Sequence, residues 1–477
     1  LSRQLPINDP SATDQSQEHD HMARDTIDAV EIENREQLIQ WFEKGSKPRS
    51  AWRLGTEHEK FGFYRGSCAP VPYEGVQGIG AIVEGLGERL GWEPILDRGH
   101  AIGLADPSGG GAISLEPGGQ FELSGAPLAT LHETADETRA HLADVAAIAD
   151  PLGVGFLGIG GSPIWSRAET PVMPKSRYAI MANYMPKVGS RGLDMMFRTC
   201  TVQVNQDFAD EADMVAKMRV SLALQPLATA LFAASPFMDG KPTGFLSTRG
   251  EIWRDTDRDR TGSLPIAFED DFGFAAYTEW ALDVPMYFIK RGDTYHDVTG
   301  IPFRAFLNGA LKDRLPNVRP EIGDWANHLG TLFPDVRLKR YIEQRGADVG
   351  PLSHIVALPA FWTGLLYDAD SLAGATDLIR DWTAEDREYL RDTAPRLGLK
   401  TPFRSGTLHD IAREVLPLAK AGLAKRGHIH DGNDESVYLA PIEAIVADGI
   451  TLADRMLASY AGEWRGDLTR VFAEYAY

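Results

Sequence analysis

Alternating apolar and polar positions mark the strands of this chain, and apolar residues recurring at every third or fourth position mark its helices. In Leu54-Gly55-Thr56-Glu57-His58-Glu59-Lys60-Phe61-Gly62-Phe63, residues two apart share a face. Glu57 and Glu59 are therefore expected together, with Phe61 and Phe63 further along, while His58 and Lys60 point the other way. From Ile113 to Ser124 the alternation runs on both sides of Pro117-Gly118-Gly119. Ile113, Leu115, Phe121 and Leu123 take one parity; Glu116, Gln120 and Glu122 take the other. A bulge at the break would change that relation. In Thr199-Cys200-Thr201-Val202-Gln203-Val204-Asn205, Cys200, Val202 and Val204 face a core, and Thr201, Gln203 and Asn205 face something polar. Gly155–Gly160 reads as a short strand, and Leu338–Arg345 as another with Glu343 and Arg345 on one face.

Helical spacing runs from Asp28 to Lys44, closed by Gly45 and Pro48. Further helices are predicted over Gly78–Leu90, Leu128–Ala149 and Ala212–Ala234, the last kinked near Pro226. After Pro351 the chain is mostly helical, with helices over Asp377–Leu397, Leu408–Arg426 and Glu443–Ala461. Strands interleaved with helices and joined by tight turns predict an α+β fold on a mostly antiparallel sheet. The candidate chemistry spans positions 57 to 345, so one domain has to close over it. Residues 23–477 are expected as that domain, its helical C-terminal portion running from about 351 to 477. Residues 1–22 are polar and read as a disordered or added leader before a start at Met22.

Composition narrows the partners. A net charge of −20 argues against nucleic acid or an anionic membrane surface as the main partner. An anionic substrate is still compatible with it, because a cluster of arginines reverses the field inside a cleft. No run of about eighteen apolar residues predicts a membrane span. Cys68 and Cys200 make neither a disulfide framework nor a CxxC metal site, and a reducing cytoplasmic location is expected.

Taken alone, Glu57 and Glu59 are either a water-screened acidic face or ligands to a hard cation. If Glu57, Glu59, Glu116, Glu122 and Glu343 line one sheet face with Gln120, Gln203, Asn205 and Arg345, uncompensated burial costs several kcal/mol per ion. Divalent ions would offset that charge. Oxygen ligands without a His or Cys cluster suit Mg²⁺, with Mn²⁺ as the alternative, and such ions commonly bridge nucleotide phosphates. Arg177, Arg198, Arg249 and Arg260 offer guanidinium for carboxylate or phosphate, against the alternative of ordinary salt bridges. Ser108-Gly109-Gly110-Gly111 lacks the Lys-Ser/Thr of a phosphate loop, and Asp255, Asp257 and Asp259 lack the Gly and Glu of a calcium loop. The segment Gly244–Gly262 is a candidate cover for the site. Trp325 and His328 are read as packing residues, and His428 and His430 as a polar loop.

Several of these stretches together resemble the glutamate–cysteine ligases of plants and many proteobacteria. They are Gly55–Phe63, Leu115–Ser124, Met173-Pro174-Lys175, Phe197–Asn205 and Ile342–Asp348, and the resemblance runs from about Trp52 to the C-terminus. It implies a glutamine-synthetase-like fold, a curved antiparallel sheet forming an open half-barrel with helices around it. It further implies ATP- and Mg²⁺-dependent joining of the L-glutamate γ-carboxylate to the L-cysteine amine, the first step of glutathione synthesis, by a monomer or homodimer. By matching motif, Glu57, Glu59, Glu116, Glu122, Gln203 and Glu343 are the implied metal ligands. Gln203 stands where some distant relatives place a histidine, and it and Asn205 are the implied cofactor contacts. Arg345 and Arg198 are the implied catalytic cations, and Arg177, Arg249, Arg260 and Tyr287 the implied substrate contacts. Two cysteines give little support for the paired-cysteine redox switch of plant members. The competing readings are a ligase of the same fold with another amine acceptor, or a non-catalytic metal- or nucleotide-binding protein.

Overall fold

A computed structural model describes residues 25–477. The expected leader, residues 1–22, lies outside the described residues. The strands that build the site, in chain order, are β1 (Leu54–His58), β2 (Phe61–Tyr64), β3 (Glu93–Asp97), β4 (His100–Ala105), β5 (Ala112–Leu115), β6 (Phe121–Ser124), β7 (Val154–Leu157), β8 (Thr201–Gln206), β9 (Val336–Leu338) and β10 (Ile342–Asp348). Eight of them form one sheet in the order β9-β10-β8-β1-β6-β5-β4-β3. Every pairing within it is antiparallel. The fold is α+β, with residues far apart in sequence brought into adjacent strands.

The alternation explains why the sheet sits where it does. Leu54, Val202, Val204 and Ala347 point to one face and join the core formed with the buried helices Glu211–Leu231 and Leu352–Leu366. Ile113, Leu115, Phe121 and Leu123 pack with the helix Ile79–Leu90. The acidic positions of the same strands take the opposite parity and meet a second layer of chain. Ser108–Gly111 is the turn between β4 and β5, as expected, and no cradle.

Several boundaries differ from the periodicity. The chain leaves the large sheet after His58, and β2 pairs with β7 instead. Phe61 and Phe63 therefore pack against Trp165 and Phe472 rather than beside the glutamates. Leu338–Arg345 is not one strand: β9 and β10 are a hairpin turning at residues 339–341, with Arg337 opposite Glu343. The helix Glu211–Leu231 runs through Pro226 without interruption. The expected helix over Asp28–Lys44 shrinks to Glu36–Glu43, because residues 28–32 give their backbone to Pro320–Gly323 in extended pairing. Two long C-terminal helices are each divided. Ala384–Leu397 begins at a Thr383/Asp386 capping box, and Leu452–Ala461 at a Thr451/Asp454 box following the left-handed Gly449.

Candidate active site

The register of β1, β8 and β10 sets the centre of the site. Glu57 lies opposite Gln203, and Asn205 opposite both Gly55 and Glu343. From there the Asn205 amide donates to Glu57 Oε1 at 2.5 Å. Glu57 Oε2 is buried with no hydrogen-bond partner. Just past β1, Glu59 is fixed by the Thr201 N–H, which donates to its Oε2 at 2.8 Å. On the other side of β1, Ser114 lies opposite Glu122 and donates its hydroxyl at 2.7 Å. Glu116 sits in the tight β5–β6 turn, where Gly119 takes φ 84°, and its carboxylate accepts from Tyr178 at 3.0 Å. Gln120 has another task. Its amide carbonyl accepts the Gly118 N–H, and its NH₂ donates to the Met196 and Thr199 carbonyls, pinning the turn to the chain before β8.

At the β9–β10 edge the charges are already matched. Arg337 donates two hydrogen bonds to Glu343, at 2.6 and 2.9 Å. Arg345 donates to Glu343 at 2.5 Å and to Gln203 Oε1 at 2.8 Å. Glu343 and Arg345, two apart on β10, share a face, and the register with β8 shifts between Gln344 and Ala347. Arg249, on the short helix Thr248–Trp253, donates to the Arg345 carbonyl at 2.7 Å. The Gly244–Gly262 segment is thus a packed wall of the site and not a free cover, tied also to the Pro395 carbonyl through Leu246 and Ser247.

Electrostatically the carboxylates split into two classes. Burial, reinforced by Glu343 and Glu122, raises Glu57 well above its ordinary pKa. Burial also raises Glu59, helped by Glu122 and Glu116. Glu122 is pushed up to about 7 by burial and by Glu116. Burial works in the same direction on Glu343, but Arg337 and Arg345 outweigh it and hold its carboxyl down at about 2.

Glu57, Glu59, Glu116, Glu122, Gln203 and Arg345 are among the residues lining an open cleft of about 980 Å³, and Glu343 is buried behind it against Arg337 and Arg345. A second cavity of about 510 Å³, with Arg249, Trp253, Arg254 and Arg391 on its walls, adjoins it. Arg345 and Phe333 belong to both linings. The geometry so far is an acidic oxygen-donor face beside a cationic, aromatic cavity, with one guanidinium at their junction.

The sequence profile described as Glutamate-cysteine ligase family 2 matches residues 53–474. The chain belongs to that family. It is 54% identical to a chloroplastic glutamate–cysteine ligase of Medicago truncatula over 453 residues, which are 95% of this chain and 87% of that protein. A chloroplastic glutamate–cysteine ligase of Arabidopsis thaliana is 53% identical over the same share of this chain and 85% of its own length. Among solved structures, a glutamate–cysteine ligase of Francisella tularensis in complex with AMP superposes with a TM-score of 0.50 at 13% identity, covering 89% of each chain. That likeness shows the fold.

Membership in this ligase family corrects one expectation outright. The plant relatives are chloroplastic by name, so the cytoplasmic reading does not stand. Cys68 and Cys200 are unpaired, which does not specify a compartment.

The structure also sorts the candidate site residues of this ligase. Arg198 does not reach the cleft: it is buried, with its guanidinium on Asp194, Asp239 and the Trp165 carbonyl. Arg260 is fully buried against Asp257 at 2.6 Å and lies over the Tyr287 ring, whose hydroxyl donates to Asp257. Arg260 and Tyr287 therefore brace a wall and line neither cavity. Asn205 donates to Glu57 and lines neither cavity. Sequence reasoning missed Ser114, Tyr178 and Arg337. Arg337 was hidden because residues 339–341 carry no Gly or Pro to announce a turn.

The donor set fits a hard divalent cation: oxygen atoms only, one of them buried and unpartnered, and three carboxyls whose pKa values are raised mainly by burial and by neighbouring carboxylates. Among the described residues no three acid, His or Cys side chains already converge into a closed cage. Both Glu343 oxygens are engaged by arginines, so it would have to release one to meet an ion, whereas Asn205 holds Glu57 by Oε1 alone and leaves Oε2 without a partner.

Proposed function

We propose that this chain joins the γ-carboxylate of L-glutamate to the amine of L-cysteine with consumption of ATP. The supporting observation is the position of Arg345 on the wall shared by the acidic cleft and the cationic cavity. Glu57, Glu59, Glu116, Glu122 and Gln203 would hold Mg²⁺ or Mn²⁺, with Glu343 joining once Arg337 or Arg345 releases an oxygen. Bound there, the ions would offset charge on the nucleotide phosphates.

A carboxylate is a poor acyl donor. Transfer of the ATP γ-phosphoryl group to the glutamate γ-carboxylate gives an acyl phosphate and ADP, the amine then attacks its carbonyl, and phosphate leaves. Arg345 is placed to offset charge on the transferring group. Arg249 and Arg177 would hold carboxylates of the amino acids. The buried walls around Trp253 and Phe333 would keep water from the acyl phosphate. The reading includes a single catalytic unit over residues 23–477 and a sheet curved into an open half-barrel.

The test is ADP release by the purified chain. It should require glutamate, an amine and a divalent ion together, with cysteine the preferred amine. Glu116→Gln should abolish release while leaving the far-ultraviolet circular dichroism unchanged; full activity in that variant would overturn the ligand assignment. Preference for another amine would indicate a sister ligase, and no nucleotide turnover would indicate a binding protein.

A further inference from the structure

Beside the acidic cleft lies a cationic subsite occupied by the chain itself. Arg177 Nη1 donates to Asp25 Oδ1 at 3.1 Å, and Lys290 Nζ to Asp25 Oδ2 at 2.9 Å. The Tyr295 hydroxyl donates to the same Oδ2. Only 7% of the Asp25 side chain is exposed. Burial alone would raise its pKa, but Arg177 and Lys290 hold the carboxyl down at about 2. Asp25 lines both the acidic cleft and a neighbouring depression that contains Lys175 and Arg177. Tyr178, adjacent to Arg177, touches Glu116. A group held in this subsite is therefore next to the face that would hold the metal.

Beyond the Asp25 side chain and Ile32, which packs against the core, the described attachments of this segment are mainly backbone ones. The Asn327 amide pairs with Thr26, accepting its N–H at 2.9 Å and donating to its carbonyl at 3.0 Å. Gly323 donates to the Asp28 carbonyl, Ile322 to Val30, and Ile32 to Pro320, each at 2.9 Å. Apolar anchoring is sparse, with Ile27 85% and Val30 56% exposed. A strap held this way is displaced far more easily than a packed element.

We propose that Lys290 and Tyr295 extend the anion-binding place already assigned to Arg177, and that Asp25 occupies it in the ligand-free chain as a competitor carried on the same chain. Carboxylate and phosphate oxygens share the required chemistry, so the occupant it yields to is an amino-acid carboxylate or a nucleotide phosphate. The inference rests on the ligase reading for the identity of those substrates.

Equilibrium binding of Mg·ATP, L-glutamate and L-cysteine, each alone, to the full chain distinguishes the sources. Asp25→Asn should tighten one of them at least five-fold and leave the others unchanged. Gly323→Ala should tighten the same ligand without touching the subsite, since a Cβ there would stand 2.9 Å from the Asp28 nitrogen and 3.0 Å from the Thr26 oxygen. In the unmutated chain, that ligand should speed hydrogen exchange at Ile322 and Gly323. As the first residues of their helix, these have no acceptor within it. Weakened binding of all three in Asp25→Asn would make Asp25 a resident part of the site and overturn the proposal, as would unchanged affinities with unchanged exchange. Because binding is read and not turnover, competition without catalysis would count against the ligase reading alone.

Discussion

Glu57 and Glu343 flank the same strand, β8, and are equally inaccessible, yet their electrostatics are opposed. Glu343 has two guanidiniums within hydrogen-bond reach and remains ionised far into acid. Glu57 has one amide donor, and two further glutamates raise its pKa. The same side chain in the same sheet is thus a finished ion pair on one side of β8 and a carboxylate with one unsatisfied oxygen on the other. Burial is common to both; the partner decides. An acid cluster with one end neutralised by protein and the other left for a cation can hold its shape without metal and still attract it.

Removing the finished partner should produce the largest effect. Arg337→Met leaves Glu343 fully buried with only Arg345, and breaking a buried pair in this way costs about 3–5 kcal/mol. Urea unfolding without divalent ions should show that loss, and activity should fall with it. Arg337→Met with Glu343→Met together should recover part of that loss, since the unpaired carboxylate is gone while Arg345 keeps only Gln203 as a partner. A double variant as unstable as the single one would mean that Arg337 supports the fold through its bonds to the Gly330 and Leu332 carbonyls instead.

Acidity separates the two classes in sign. Glu122 titrates near 7 in the folded chain against an ordinary 4.5, so the folded state binds more protons between those values. Without metal, stability should therefore fall as pH rises from 4.5 towards 7, by about 3 kcal/mol at most from this group. Glu343, held at about 2, has the opposite effect: its contribution is present above 4.5 and is lost as pH drops towards 2. Saturating Mg²⁺ should remove the neutral-side loss and leave the acid-side loss intact. Thermal unfolding from pH 3 to 8, with and without Mg²⁺, checks this. A neutral-side slope indifferent to Mg²⁺ would detach these carboxylates from metal binding.

How much of this could be read beforehand depended on the kind of signal. Strand parity placed Glu57, Glu122 and Gln203 around one cleft, with Glu343 buried next to it opposite Asn205, because a period of two leaves no choice of face once the other face is apolar. Local parity could not show where a chain changes partner, so Phe61 and Phe63 were grouped with the glutamates they leave behind. Nor could it show the hairpin at residues 339–341, and with it Arg337. The arginines were least legible. Arg198 and Arg260 have the charge that the chemistry wants, but Asp239, distant in sequence, and Asp257, three residues before Arg260, had already claimed them. Val30 and Ile32 fit a helical stripe, but the backbone groups of Pro320–Gly323 drew them into extended pairing.

The smallest predicted effect concerns Asn205, whose amide is the hydrogen-bond donor to Glu57. A side chain that orients a ligand without touching the ion shifts affinity more than chemistry, commonly by about ten-fold or more. Asn205→Ala frees Glu57 to rotate and deepens its mutual repulsion with Glu122. The Mg²⁺ concentration for half-maximal ADP release should then rise about ten-fold, with the rate restored at saturating Mg²⁺. Asn205→Asp, which sets a carboxylate where the donor was, should rise further, because two like charges then meet over one strand. If Asn205→Ala instead lowers the saturated rate while the Mg²⁺ dependence stays put, Asn205 acts on the reacting groups and the division between finished pair and waiting ligand is drawn in the wrong place. A ten-fold shift at constant saturated rate would locate the difference between Glu57 and Glu343 in a single amide on one side of β8 and two guanidiniums on the other.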